Sequence, residues 1–232
     1  RRRRWGNGGR GRPASSLLQR RLLFGPYADD LPKPPSFVGG GIGMEKVPGA
    51  AAEFTFTWSE AFRALDARYK AIRASHDPNE LAIFVGTAGA AHPEALLQIA
   101  MVCAHTAQPE RAAELVRRCL VVYEAAQLEA FRPALARGAA RVPYAREENR
   151  TLFTALFRHA QLSQMGGASG AALEVTKLLL QLAPGEDPTC SWLAYDVYAL
   201  AARAGAMDGL PALMRLHDAP VRLQPLQGAG AA

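Results

Sequence analysis

The chain has 232 residues, 49% of them hydrophobic, 21% charged and 8% aromatic, a balance that supports a packed core and argues against wholesale disorder. No stretch reaches the roughly 18 apolar residues a bilayer-spanning helix needs, and no secretory-type apolar segment adjoins the basic N-terminus. The formal net charge of +6 is uneven: eight of the 27 basic residues lie within Arg1–Arg21, which hold no acidic residue, while the other 19 face 21 acidic residues.

The basic charge therefore sits in one tail. Such a tail neutralises phosphates on RNA, DNA or an acidic partner without reading sequence; the plainer alternative is a solvated arm or a localisation signal. Arg1, Arg2, Arg3, Arg4, Arg10 and Arg12 alternate with glycines and Trp5, in the manner of a flexible RNA-contacting arm. Leu17, Leu18, Leu22 and Leu23 allow a short amphipathic turn. Pro26, Pro32, Pro34 and Pro35, then Gly39–Gly43, mark an extended connector, because proline removes backbone donors and glycine raises chain entropy. Residues 1–50 are read as a largely disordered arm. The chain starts at Arg1 rather than Met, as a fragment or processed form does, which leaves an upstream targeting signal open.

Residues 51–218 read as a helical repeat domain. Glu53–Trp58 alternates apolar and polar residues, which fits one strand or an extended arm laid on the first helix. Ser59 N-caps a helix to about Ser75, with Phe62, Leu65, Tyr69 and Ile72 on one face. Asp77-Pro78 pairs a cap with proline at the first helical position and opens a helix that stops at Gly86. His92-Pro93 starts the next, with Leu96, Leu97, Ile99, Ala100 and Cys103 inward. Gln108-Pro109 starts another, with Ala112, Leu115, Val116, Cys119, Leu120 and Tyr123 inward. Pro133 and Pro143 break residues 126–146. Glu147 to about Gln164 is helical through Leu152, Phe153, Leu156, Phe157 and Ala160, and Ala168 to Leu182 follows, closed by Pro184. Asp187-Pro188 opens a helix to Arg203, and a last one runs from about Met207 to His217. Residues 219–232 are a Gln/Gly/Ala/Pro-rich disordered tail.

Helices of these lengths with short turns predict antiparallel pairs. Ala160, Ala172 and Pro184 fall twelve residues apart, the tetratricopeptide pattern of small residues at a helix crossing and proline at the end. Ala100 and Ala112 repeat the gap without the proline. Ala100 and Ala160 are 60 residues apart rather than the 34 of a regular array. The fold class is therefore all-α, a degenerate tetratricopeptide-like α-solenoid, against the alternative of an irregular helical domain.

Little in the sequence carries chemistry. Gly39–Gly43 lacks the sixth-position glycine, the lysine and the strand–loop–helix setting of a phosphate loop. Ser75, His76 and Asp77 are adjacent, so their side chains diverge and cannot form a relay. Asn149-Arg150-Thr151 is formally a glycosylation sequon, better read as a helix start. Cys103, Cys119 and Cys190 form no C-x-x-C pair and read as buried, reduced thiols of a cytosolic or nuclear protein. The five histidines lack metal-ligand spacing. No catalytic, cofactor-binding or metal-binding set emerges, and the chain is read as not an enzyme. The densest polar cluster runs from Arg141 to Arg150, just before an apolar helix. Arg141, Tyr144, Glu148, Asn149 and Arg150 are its candidate partner-contact residues, against a structural reading as capping groups and salt bridges.

These segments, in their order and spacing from Leu22 to His217, resemble the transcription factor 25 family, whose fungal members are known as ribosome quality control complex subunit 1. The carriers are Ser75–Asn79 (SHDPN), His92–Ala100 (HPEALLQIA), Ala112–Leu120 (AAELVRRCL) and Tyr123-Glu124. Arg141, Pro143-Tyr144, Glu148–Arg150, Ala155–Phe157, Ala172–Leu180 (ALEVTKLLL), Asp187-Pro188 and Tyr198–Leu200 complete them. The resemblance implies a non-catalytic adaptor that acts with a ubiquitin ligase on stalled 60S subunits, promotes ubiquitination and degradation of the nascent chain, and helps recruit a segregating AAA ATPase. It implies no cofactor, membrane or small-molecule substrate, a cytoplasmic and secondarily nuclear location, and a basic N-terminal region beside ribosomal RNA. The family name also records transcriptional repression through protein contacts. Two departures stand out: the turn Gly166–Gly170 replaces a usual Cys-Pro-Arg, and the family's C-terminal helical region is missing after about residue 220, as in a partial gene product.

Overall fold

The structure, a computed structural model, describes residues 41–202. The arginine arm, the Leu17–Leu23 turn, the helix expected at 207–217 and the C-terminal tail lie outside the described residues. Within them are eight helices and one two-stranded antiparallel sheet.

Strands β1 (Ile42–Lys46) and β2 (Phe54–Trp58) pair with Met44 opposite Phe56 and Gly43 opposite Thr57. Part of the expected connector is thus a strand. The alternation that marked β2 also runs through Ile42 and Met44, which sit half-buried and buried against the core. Gly43 serves close approach rather than flexibility: a Cβ there would lie 3.1 Å from the Thr57 hydroxyl. Gly49 takes φ +80° between the strands, a conformation that glycine adopts without a Cβ penalty.

Helix α1 (Glu60–Ser75) begins where Ser59 Oγ accepts from the Phe62 amide at 3.1 Å and ends at His76 in the left-handed region. Helix α2 (Pro78–Gly86) is capped by Asp77, whose carboxylate accepts from Asn79 N at 2.8 Å. Helices α3 (Pro93–His105) and α4 (Pro109–Ala125) both start on proline. His92 caps α3 with its ring, whereas Gln108 makes no side-chain cap. Helices α6 (Glu147–Met165) and α7 (Ser169–Leu182) follow the short helix α5 (Phe131–Ala136). Helix α8 (Trp192–Ala202) closes the described residues.

Two helix boundaries depart from the sequence reading. Pro133 does not break the chain but is the third residue of α5, within the first turn, where an amide has no intrahelical acceptor to lose. Asp187-Pro188 does not open a helix. Asp187 takes φ +30° and reaches forward, accepting from Ser191 N at 2.8 Å and Trp192 N at 3.2 Å, so the helix starts four residues later. The buried-thiol reading holds for Cys103 and Cys119; Cys190 is exposed in this same turn.

Consecutive helices pack as hairpins, α3 on α4, α6 on α7 and α7 on α8, while α4 lies across α6. Ala100, Ala112, Ala160 and Ala172 are all buried, small residues that let helices come close. The sheet presses its aromatic face onto this layer: Phe54 meets Phe131 edge-on at 5.1 Å and Phe56 meets Tyr123 at 4.8 Å. Leu152, Phe153 and Leu156 of α6 are fully buried in the same core. Leu156→Ala is expected to lower unfolding free energy by about 2–5 kcal/mol, through lost transfer energy and the cavity left behind. Urea denaturation should show a lower midpoint at an unchanged slope.

Candidate functional site

Strand β2 uses alternate backbone groups on its two edges. Phe54 and Phe56 direct their amides away from β1. Phe54 N donates to Arg141 O at 2.8 Å, and Arg141 N donates to Ala52 O at 2.9 Å. Farther along, Phe56 N donates to Oδ1 of Asn149 at 2.9 Å, and the Asn149 Nδ2 group donates to Pro143 O at 2.7 Å. The side-chain amide of Asn149 thus continues the strand edge that the Arg141 backbone begins. Asn149 has no solvent exposure. Its helix position is set by the run into α6, where Arg146 is the half-in residue and makes no side-chain cap.

The other members of the 141–150 cluster separate by depth. The Arg141 guanidinium donates to Gly138 O and Ala140 O, both at 2.8 Å, and so braces its own loop. Tyr144 meets Phe153 edge-on at 5.5 Å, and Arg150 lies 5.8 Å above the Tyr144 ring while donating to Ala145 O. Glu148 is half-buried, 3.9 Å from Arg63. Arg150, with Glu147, reaches a groove of about 560 Å³ between α1, α3 and α6 that Trp58, Lys70, Glu94 and Gln98 also line. Asn149 is thereby closed to direct contact with a partner, and Arg141 is largely engaged by its own loop. Arg1, Arg2, Arg3, Arg4, Arg10 and Arg12 lie outside the described residues.

Sequence reasoning missed a polar ladder that runs from the buried His92–Asp66 pair to the exposed Lys70 and Glu147. Asp66 of α1 places Oδ1 3.3 Å from His92 Nε2 and Oδ2 2.8 Å from Lys70 Nζ, and Lys70 reaches Glu147 Oε1 at 3.0 Å. Both carboxylates push Lys70 up to about 12. His92 stacks on Phe62 (5.1 Å, 10° between planes) and lies 4.6 Å from Tyr69. Burial drives its pKa down to about 4, against the opposing pull of the Asp66 carboxylate. The neutral ring accepts from Ala95 N through Nδ1 at 3.3 Å, which puts its proton on Nε2, toward Asp66. A His–Asp pair is half of a hydrolytic relay, but there the carboxylate holds Nδ1 and Nε2 faces a nucleophile. Here the order is reversed and Nδ1 is spent on a helix cap. The available signal was Asp66 itself, a carboxylate inside the Phe62–Tyr69 stripe. Among the described residues no group of three or more His, Cys, Asp or Glu side chains is placed to hold a metal ion, and no helix is long and apolar enough to cross a membrane.

These features define a helical-hairpin protein in which polar side chains lock elements to one another and grooves between helices stay open to other molecules. The chain belongs to the family described as Transcriptional repressor TCF25, whose model matches residues 54–207. It is 35% identical over 150 residues to a human protein named Ribosome quality control complex subunit TCF25, covering 65% of this chain and 22% of that one. Ribosome quality control complex subunit 1 of Schizosaccharomyces pombe is 31% identical over 176 residues, covering 73% of this chain and 26% of the relative. A Probable transcription factor claV from Ampulloclitocybe clavipes is 29% identical over 149 residues, covering 64% and 19%. The chain spans about a quarter or less of the length of these curated relatives. No solved structure matches it.

Removing the Asn149 amide leaves Phe56 N and Pro143 O without partners, at about 1–3 kcal/mol for each buried group. Asn149→Ala should therefore destabilise by about 2–5 kcal/mol in urea titrations, and a loss below about 0.5 kcal/mol, typical of an uninvolved surface site, would sink the clasp. For His92 the folded-state pKa lies below the ordinary 6.5. The unfolded chain then binds more protons between these values, so stability falls as pH drops from 6.5 toward about 4. Denaturation series across that window should flatten in His92→Asn, which keeps a capping side chain but does not titrate.

Proposed function

We propose that this chain is part of a non-catalytic adaptor subunit of the ribosome quality control machinery, acting with a ubiquitin ligase on stalled 60S subunits to promote ubiquitination and degradation of nascent chains. The observation that carries the reading is the family match over residues 54–207, together with relatives named as ribosome quality control complex subunits. The helical hairpins are read as a degenerate tetratricopeptide-like solenoid that presents its grooves to protein partners, in the cytoplasm first and the nucleus second. The residues before β1 supply the arm, with Arg1, Arg2, Arg3, Arg4, Arg10 and Arg12 against ribosomal RNA or an acidic protein. At the other end of that scheme, Tyr144, Glu148 and Arg150 offer partner contacts beside the α1–α3–α6 groove, and Arg141 and Asn149 hold that surface in place. No cofactor or small-molecule substrate enters this scheme.

A second reading rests on the family description as a transcriptional repressor and on the relative named as a probable transcription factor. In it the same helical surface binds a DNA-associated protein. The two readings part in one experiment. The adaptor co-sediments with 60S particles at low salt, and the bound fraction falls as salt rises through counterion release. Deletion of residues 1–21 lowers the slope of that salt dependence. Absence from 60S fractions at low salt, with nuclear enrichment and recovery of a chromatin-bound factor, would replace the first reading with the second.

A further inference from the structure

Between α3 and α6, near His105 and Met165, lies a small apolar depression of about 130 Å³. Its floor is Ala112 and Val116 of α4, and Met101 and Met165 flank it. Met165 is 76% exposed and Met101 40%. Unbranched, polarizable methionines of this kind adapt to an incoming apolar group, and an aliphatic cavity of roughly 150 Å³ accepts a benzene-sized molecule. The depression therefore has room for one leucine- or phenylalanine-sized side chain.

Its rim is one-sided in charge. Arg158 and His105 line it, and no Asp or Glu does. Arg158 has no carboxylate partner among the described residues; it donates through one terminal nitrogen to Gln161 at 2.8 Å, while its Nε is buried without a hydrogen-bond partner there. Among the described residues Lys70, Arg73, Arg132 and Lys177 meet a carboxylate within 3.2 Å and Arg63 meets Glu148 at 3.9 Å, and Arg158 is among the cations that do not. A half-buried guanidinium without a carboxylate partner at the rim of an apolar slot is complemented by a carboxylate carried next to an apolar anchor.

We propose that this depression is a docking site for a short acidic–apolar segment of another protein, which seats one leucine- or phenylalanine-sized side chain over Ala112 and Val116 and places an adjacent Asp or Glu carboxylate on Arg158 and His105. The proposal rests on the protein-binding part of the adaptor reading and adds the address and the ligand chemistry. Within the chain, the leucines at 17, 18, 22 and 23 are flanked by Arg20 and Arg21 and carry the wrong charge, whereas Asp29-Asp30-Leu31 has matching chemistry and is the internal competitor that the test removes. A second copy would bring one basic rim to another.

The test uses the full chain labelled at its methionine methyl groups, with Met44 in the core as a fold control and Met101 and Met165 as reporters. The probes are short synthetic peptides pairing one leucine with one or two aspartates at spacings of about one to four residues. Matched peptides carry serine for leucine or lysine for aspartate. The expected result is selective movement of the Met101 and Met165 methyl signals by a leucine–aspartate peptide, with Met44 unmoved. Ala104→Trp, at an exposed position on the same wall, and Arg158→Glu should each weaken binding by about tenfold or more. Arg158→Glu should instead favour the lysine peptide.

No leucine–aspartate peptide outperforming its serine control, binding that leaves Met101 and Met165 in place, or indifference to both substitutions while Met44 reports an intact fold would each overturn the proposal. So would Met101 and Met165 signals that move with protein concentration alone, marking a second copy, or on deletion of residues 1–35, marking the arm and its Asp29-Asp30-Leu31 segment. Because no ribosome is present, failure here leaves the 60S sedimentation result standing, and a sedimentation failure leaves the peptide result standing.

Discussion

Strand β2 is sandwiched between a partner strand and a helical layer, and a strand in that position has backbone groups on two sides that must find partners away from water. On the inner side β1 supplies them. On the other side no third strand exists among the described residues, and the edge is completed by the Arg141 backbone and then by the amide of Asn149. This completion lets Phe54 and Phe56 enter the core against α4 and α5 without leaving buried donors unsatisfied. It also fixes where α6 starts, because the amide that serves the strand sits in the first turn of that helix. The angle of α6 then sets α7, which packs on it, and α8 beyond.

The polar ladder does similar work between α1, α3 and α6. Asp66 meets His92 and Lys70, and Lys70 meets Glu147, so one buried carboxylate relates three helices. His92 caps α3 and packs among aromatic rings, and the loss of water around it favours its neutral form although Asp66 pulls the other way. A ring in this role cannot move toward a substrate. Around this fixed ring the described domain carries two grooves, a mixed-charge one beside Arg150 and a smaller apolar one beside Arg158.

The cluster from Arg141 to Arg150 divides between an inner and an outer face. Its backbone and Asn149 face inward and hold the strand. Its aromatic and charged members sit nearer the surface, where the Tyr144–Arg150 pair forms a small platform. A polar run before an apolar helix is dense because it has two surfaces to satisfy.

The helices themselves were legible in the sequence. Ser59, Asp77 and the prolines at 78, 93 and 109 mark starts through local hydrogen bonding and fixed φ, and the stripes of Phe62–Tyr69 and Leu152–Ala160 state which faces are buried. These are short-range effects, written in neighbouring residues. The family was legible too, because the order and spacing of such segments survive in the primary chain. What only the tertiary structure decided is long-range. Asn149 finds Phe56 across 93 positions, and His92 finds Asp66 on another helix. The β1 strand was hidden behind glycines because its partner, not its propensity, orders it. Asp187 caps a helix that starts at Trp192 rather than at its neighbour Pro188, since a turn with φ +30° turned its carboxylate forward. Partner choice across a fold depends on which surfaces meet, and local sequence pattern carries no record of that meeting.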